Sequence, residues 1–147
     1  MKKDIQIPEV NGVEMAVVYE YNAIYKTDDW NVYLINNKNI ALEMIVIVSQ
    51  GFSDTKTTSL LRKKLETLPA NSFAKIEFMQ PDLFKLNNRF QVSFFEGHKL
   101  FEKTFLFKEN TIKESDIYSD YSAYSIARYI KIVIPLGSPQ GRVGFWV

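Results

Sequence analysis

The stretch Val13-Glu14-Met15-Ala16-Val17-Val18-Tyr19-Glu20-Tyr21-Asn22-Ala23-Ile24-Tyr25 decides the fold class. Its odd positions, Val13, Met15, Val17, Tyr19, Tyr21, Ala23 and Tyr25, form one apolar row, while Glu14, Glu20 and Asn22 fall on the other side. Side chains alternate across a strand with a period of two, so this pattern predicts a long half-buried β-strand. Downstream the same period recurs. Trp30 to Ile35 and Leu42 to Ser49 are strand-like runs joined by Asn36-Asn37-Lys38-Asn39. Asparagines tolerate positive φ and bond their own backbone, so this connection predicts a hairpin. The second run is apolar on both parities (Leu42, Met44, Val46, Val48 against Ile45, Ile47), as in a strand covered on both faces or facing a partner.

Gly51 to Ser59 is polar and reads as a surface loop. Leu61, Leu65 and Leu68 are spaced at four and three, which fits a helical stripe, but Pro69 limits it to barely two turns; a short helix and an irregular edge strand both fit. Asn71 to Met79 alternates again, with Ala74, Ile76 and Phe78 predicted on one face and Lys75 and Glu77 on the other. Pro81 suits the first position of a single helical turn over Gln80 to Leu86. Arg89 to Glu96 and Leu100 to Phe107 carry phenylalanines in register around Glu96-Gly97-His98-Lys99, the strongest hairpin in the chain. Six or seven strands at these intervals, with no helix long enough for a parallel crossover, predict an antiparallel immunoglobulin-like β-sandwich of about seven strands.

After about Thr111 the composition shifts. Residues 1–120 hold fifteen Lys and Arg against seventeen acids, whereas residues 121–147 hold Arg128, Lys131 and Arg142 and no acid. The expected organisation is a sandwich domain over 1–116 and a C-terminal tail over 117–147, with a non-native extension among the readings of that tail. Ala123, Ile126, Ala127 and Ile130 fit a helix from about Ser119 to Tyr129, and Tyr129 to Ile134 fits a strand. Glycines and prolines from Pro135 onward argue against regular structure before Phe145-Trp146-Val147.

Composition removes several function classes. The chain has 147 residues, no cysteine and one histidine, which excludes disulfide frameworks, zinc-thiolate and iron–sulfur sites, a cysteine nucleophile and two-histidine metal centres within one chain. A net charge of +1 gives no strong nucleic-acid signal. Met1 to Val10 carries Asp4 and Glu9 where a signal peptide would be apolar, and no run approaches the ~20 residues of a membrane span. The expectation is a cytoplasmic protein without membrane contact.

Each candidate motif has a plainer reading beside it. His98, between Gly97 and Lys99, suits a general base, but a lone histidine in a tight turn is ordinarily just exposed. Asp28, Asp29, Glu20 and Asp54 supply oxygen ligands without the spacing of a calcium loop. Gly137 to Gly144 lacks the order of a phosphate-cradling loop, and no Gly-x-Ser-x-Gly elbow occurs. Lys56, Arg62, Lys63 and Lys64 could meet phosphates, but interspersed acids favour a solvated face. Aromatic surplus is the feature above background: eleven Phe, eight Tyr and two Trp. Tyr33, Phe73 and Phe95 fall on the parity opposite the core row, and Trp30 lies beside tyrosines. Exposed aromatic area marks interfaces, so Trp30, Tyr33, Phe73 and Phe95 are the candidate binding residues.

The runs Trp30-Asn31-Val32-Tyr33-Leu34-Ile35-Asn36-Asn37-Lys38, Lys56-Thr57-Thr58-Ser59-Leu60-Leu61-Arg62, Leu68-Pro69-Ala70-Asn71-Ser72-Phe73 and Leu86-Asn87-Asn88-Arg89-Phe90 resemble a family of small uncharacterised bacterial β-rich proteins. The likeness covers about residues 1–115; from about Ile117 the chain departs from the family's usual ending. Some members carry the label phenylalanyl-tRNA synthetase alpha subunit, yet this chain is too short for a class II synthetase and has no counterpart of the arginine motifs that hold ATP. The resemblance implies no activity, cofactor or site residue. The leading expectation is a non-enzymatic sandwich that binds another protein or a second copy through an aromatic face or an edge strand, with no cofactor and no metal. The alternative is a sandwich binding a small carbohydrate or nucleotide, with Trp30 and neighbouring tyrosines stacking on it. A carboxylate-based enzyme ranks third.

Overall fold

A computed structural model of the chain describes residues 10–112 and 131–133. Seven strands run through the first segment: β1 (Val13–Asn22), β2 (Thr27–Asn36), β3 (Leu42–Phe52), β4 (Leu61–Leu68), β5 (Ser72–Phe78), β6 (Asn87–Glu96) and β7 (Lys99–Phe107). The three-residue β8 (Lys131–Val133) follows. Every pairing is antiparallel, and the strands form two four-stranded sheets, ordered β5-β2-β1-β8 and β4-β3-β6-β7. The protein is an all-β sandwich. In the constant-type immunoglobulin arrangement the fourth strand shares a sheet with the first, second and fifth; here it pairs with the third, and β8 lies outside β1. The predicted helix at 119–129 lies outside the described residues, while β8 falls within the run read as a strand.

The core between the sheets comes from alternating positions of the strands, with the parity of β3 switching between Leu42 and Ile45. Met15, Val17, Val32 and Leu34 of the first sheet meet Ile45, Ile47, Phe90, Val92, Phe94, Phe105 and Phe107 of the second, all essentially inaccessible. Each such side chain contributes roughly 1.5–3 kcal/mol by leaving water, which is why period-two rows this long dominate the folding choice. The predicted odd row is the core row of β1 as far as Tyr19.

Three local readings need correction, and one left between two alternatives is resolved. First, the β1 strand ends at Asn22, before Ala23 and Tyr25. The Asn22 carboxamide oxygen accepts from the Ile24 and Tyr25 amides, so the chain turns there, and β1 and β2 form a hairpin. Second, the asparagine segment after Ile35 is a crossover between sheets. The buried Asn36 donates to the carbonyls of Ile40, Leu68 and Pro69 and accepts from the Lys38 amide, which ties β2 to the far end of β4. Third, of the two readings open for the Leu61-Leu65-Leu68 stripe, the edge strand is the one formed among the described residues. Leu42 pairs with Leu68 and Ile45 with Leu65, and between them Met44 sits at φ +50 where the β3–β6 register shifts. Such an irregularity lets residues three apart share a face, the spacing that reads as helical in sequence. Fourth, a register shift between β2 and β5 turns Glu77 toward Val32 and Phe78 toward Asn31, so β5 does not keep the predicted alternation.

Two expectations in the loops hold. Pro81–Lys85 is a 3-10 turn with proline at its start, and the β6–β7 hairpin closes on two residues. Gly97 takes φ +61 at the first central position, as a type II′ turn requires.

Candidate interaction surface

The four candidate aromatics occupy three places. Trp30 faces the core. Its ring centroid lies 4.5 Å from that of Tyr19 in a tilted contact and 5.1 Å from that of Phe84 in a near-perpendicular one, and the residue is only 8% exposed. Its carbonyl accepts from the Met79 amide, which fastens the end of β5 to β2.

Tyr33 and Phe73 do come together, on the face of the first sheet turned away from the core, with rings 6.0 Å apart in an edge contact. The Tyr33 hydroxyl donates to Glu20 Oε2 at 2.7 Å, and Asn31 Nδ2 donates to the same oxygen at 2.7 Å. Burial, with the Glu20 hydrogen bond and negative charge adding to it, pushes the Tyr33 phenol well above its ordinary range. This face is not open: Ala16, Val18, Asn31, Tyr33 and Ile35 are all buried. Glu20 therefore serves as the acceptor that lets two polar side chains sit in it, a structural arrangement.

Phe95 lies on the opposite side of the molecule, on the outer face of the second sheet, paired with Glu43 and Leu100. Beside it Met44 holds a left-handed backbone and leaves its side chain 68% exposed. A non-glycine residue at such φ costs of order 1–3 kcal/mol and persists only where its surroundings enforce it, as the rejoining of the β3–β6 register does here. Around the pair runs an open groove of about 610 Å³. Met44, Val46 and Phe95 give its apolar part; Lys64, Glu66 and Thr67 of β4 bound it. Thr67 donates to the Glu43 carboxylate, which orients that wall. Met44 was not separable in sequence from the other apolar positions of its run, because nothing in the pattern marks where a register shifts.

The remaining motifs resolve as local structure. His98 is exposed at the hairpin tip. Asp29 accepts from Asn22 and Thr27, and Glu20 from Tyr33 and Asn31; no group of three or more potential metal ligands occurs among the described residues. Arg62, Lys63 and Lys64 stand along β4, away from the Tyr33 face. One acid missed in sequence is Glu77, which the β5 irregularity turns inward, where it accepts from Ser49 Oγ of the other sheet at 2.9 Å. Desolvation raises its carboxyl pKa above the usual value, and the Ser49 hydrogen bond acts the other way. The void beside it, of about 30 Å³, has room for a water molecule rather than a substrate.

Comparison with protein-family models, with curated proteins and with solved structures finds no match for this chain.

Proposed function

We propose that the protein is a non-enzymatic interaction module whose contact surface is the outer face of the second sheet, beside β4. The observation that carries this reading is the Met44–Phe95 groove. An exposed methionine fixed at a left-handed position, next to a partly exposed phenylalanine and Val46, is apolar surface that the fold maintains at a cost in backbone energy. Methionine suits such a role because its unbranched, polarisable side chain adapts to a partner's shape. Lys64, Glu66, Thr67 and Glu43 provide the polar rim that accompanies an apolar centre in protein interfaces. The ligand-stacking alternative placed Trp30 and neighbouring tyrosines against the ligand, and Trp30 is buried against Tyr19 and Phe84.

A photo-reactive amino acid placed at Met44 tests the reading. Irradiation is expected to yield a discrete protein adduct, either with a second copy or with one other protein. The same probe at Gln91, which is exposed on the same sheet but outside the groove, is expected to yield none. Absence of any adduct at position 44, or equal labelling from position 91, overturns it.

A further inference from the structure

We infer that β4 is the seam of a homodimer, formed by two copies of Leu61–Leu68 pairing antiparallel about a two-fold axis through Leu65. This rests on the interaction-module reading and names the partner as a second copy of the chain. Among the described residues β4 has one neighbour, β3, and lies at the end of its sheet. Residues 61–64, 66 and 67 are exposed, including the apolar Leu61 at 56%. Apart from the Leu68 carbonyl, which accepts from Asn36, an edge of this length offers backbone donors and acceptors to another strand.

The charges on β4 select the register. Side chains of a strand alternate between faces, so a copy must pair in a register that keeps facing residues on one side of the sheet. A symmetric antiparallel pair then places one residue opposite itself. Centring on Lys63 or Lys64 sets lysine against lysine, and centring on Glu66 sets glutamate against glutamate. Centring on Leu65 sets leucine against leucine and brings Lys64 of each copy opposite Glu66 of the other. Lys64 and Glu66 both bound the groove, so these two cross-strand pairs lie at its outer rim. Lysines protect an edge against arbitrary strands; in this register Lys64 is matched by Glu66 of a second copy while Lys63 faces Thr67, so one of the edge charges becomes a selection device. Three strand spacings of ~4.8 Å and an offset of two residues along the strands would place the two Met44 positions about 16 Å apart across β3, β4 and their mates, giving one continuous surface.

The chain has no cysteine, which makes the register directly testable. Facing residues of an antiparallel pair have Cα atoms ~4.5–5.5 Å apart, within disulfide range. Mild oxidation of Leu65→Cys is expected to give a disulfide-linked dimer. Arg62→Cys, whose mate would lie ~20 Å away along the strand, is expected to give none. Light scattering on the unmodified chain is expected to show the mass rising from 17.1 kDa toward twice that value with concentration. Lys64→Glu is expected to weaken association ~tenfold and Lys64→Glu with Glu66→Lys to restore it. A monomer at all concentrations, equal cross-linking of both cysteine variants, or no restoration by the double swap overturns the seam. If those results come with an adduct from Met44 to a different protein, the seam fails and the interaction-module reading stands; if position 44 yields no adduct at all, that reading fails too.

Discussion

Replacing Asn36 tests how the two sheets are joined. Its side chain is fully buried, and its amide group donates to the carbonyls of Ile40 at 2.9 Å, Pro69 at 2.9 Å and Leu68 at 3.2 Å, while its oxygen accepts from the Lys38 amide at 3.0 Å. Asn36→Ala strands these backbone groups where water has little access. An unsatisfied buried polar group costs about 1–3 kcal/mol, and the losses are not additive because two amide protons serve three carbonyls. We expect a loss of about 3 kcal/mol, which at this chain length corresponds to a Tm about 10 °C lower. Asn36→Asp is the sharper variant. It keeps the shape and the acceptor for Lys38 but turns a carboxylate toward three carbonyl oxygens, so at pH 7 it should destabilise at least as much as alanine. Urea denaturation followed by tryptophan fluorescence measures both, since Trp30 lies in the core. If Asn36→Asp unfolds within about 1 kcal/mol of the wild type, the donor role assigned to this side chain is wrong.

Three further outcomes follow from particular contacts. Because the Tyr33 phenol is raised, its contribution is fully present below the ordinary tyrosine pKa of ~10 and is lost as pH climbs beyond it, when the unfolded chain ionises first. Tyr33→Phe should cost about 1–2 kcal/mol at pH 7 and flatten the alkaline fall in stability, read from denaturation midpoints between pH 8 and 11. Glu77 is raised too, so its ionised form opposes folding at neutral pH and that penalty lifts as pH falls through its folded-state value. Glu77→Gln should therefore be more stable than wild type at pH 7 and converge with it below about pH 4. Met44→Gly relieves the left-handed strain but frees the unfolded chain, so stability should change by less than about 1 kcal/mol in calorimetry while light scattering shows weaker association.

Fold class was legible because it depends on a repeated signal: period-two apolar rows recur from Val13 through Phe107, and many strands vote together even where β1 and β2 are buried on both faces. The β6–β7 hairpin was legible because Gly97 performs a task other residues do poorly. The hairpin expected at Asn36 to Asn39 failed for a physical reason. Asparagine suits a tight turn and a crossover equally, and the partners that fix the choice, Leu68 and Pro69, lie over thirty residues away. The leucine spacing in β4 left helix and edge strand both open because an irregularity at Met44 copies the helical interval. For the surface, parity placed Tyr33, Phe73 and Phe95 on outward faces, yet parity does not say which sheet a strand joins. Phe95 therefore lies across the sandwich from the other two, and Trp30 belongs to the core.

Methionine methyl spectra test the central claim, that this protein meets its partner over the Met44 groove. Met15 and Met79 are buried in the core and serve as internal references, whereas Met44 is exposed. With ¹³C-labelled methyl groups, raising the protein concentration or adding cell extract should shift or broaden the Met44 signal while those of Met15 and Met79 stay in place. A Met44 signal that remains sharp and unmoved under both conditions would contradict the claim.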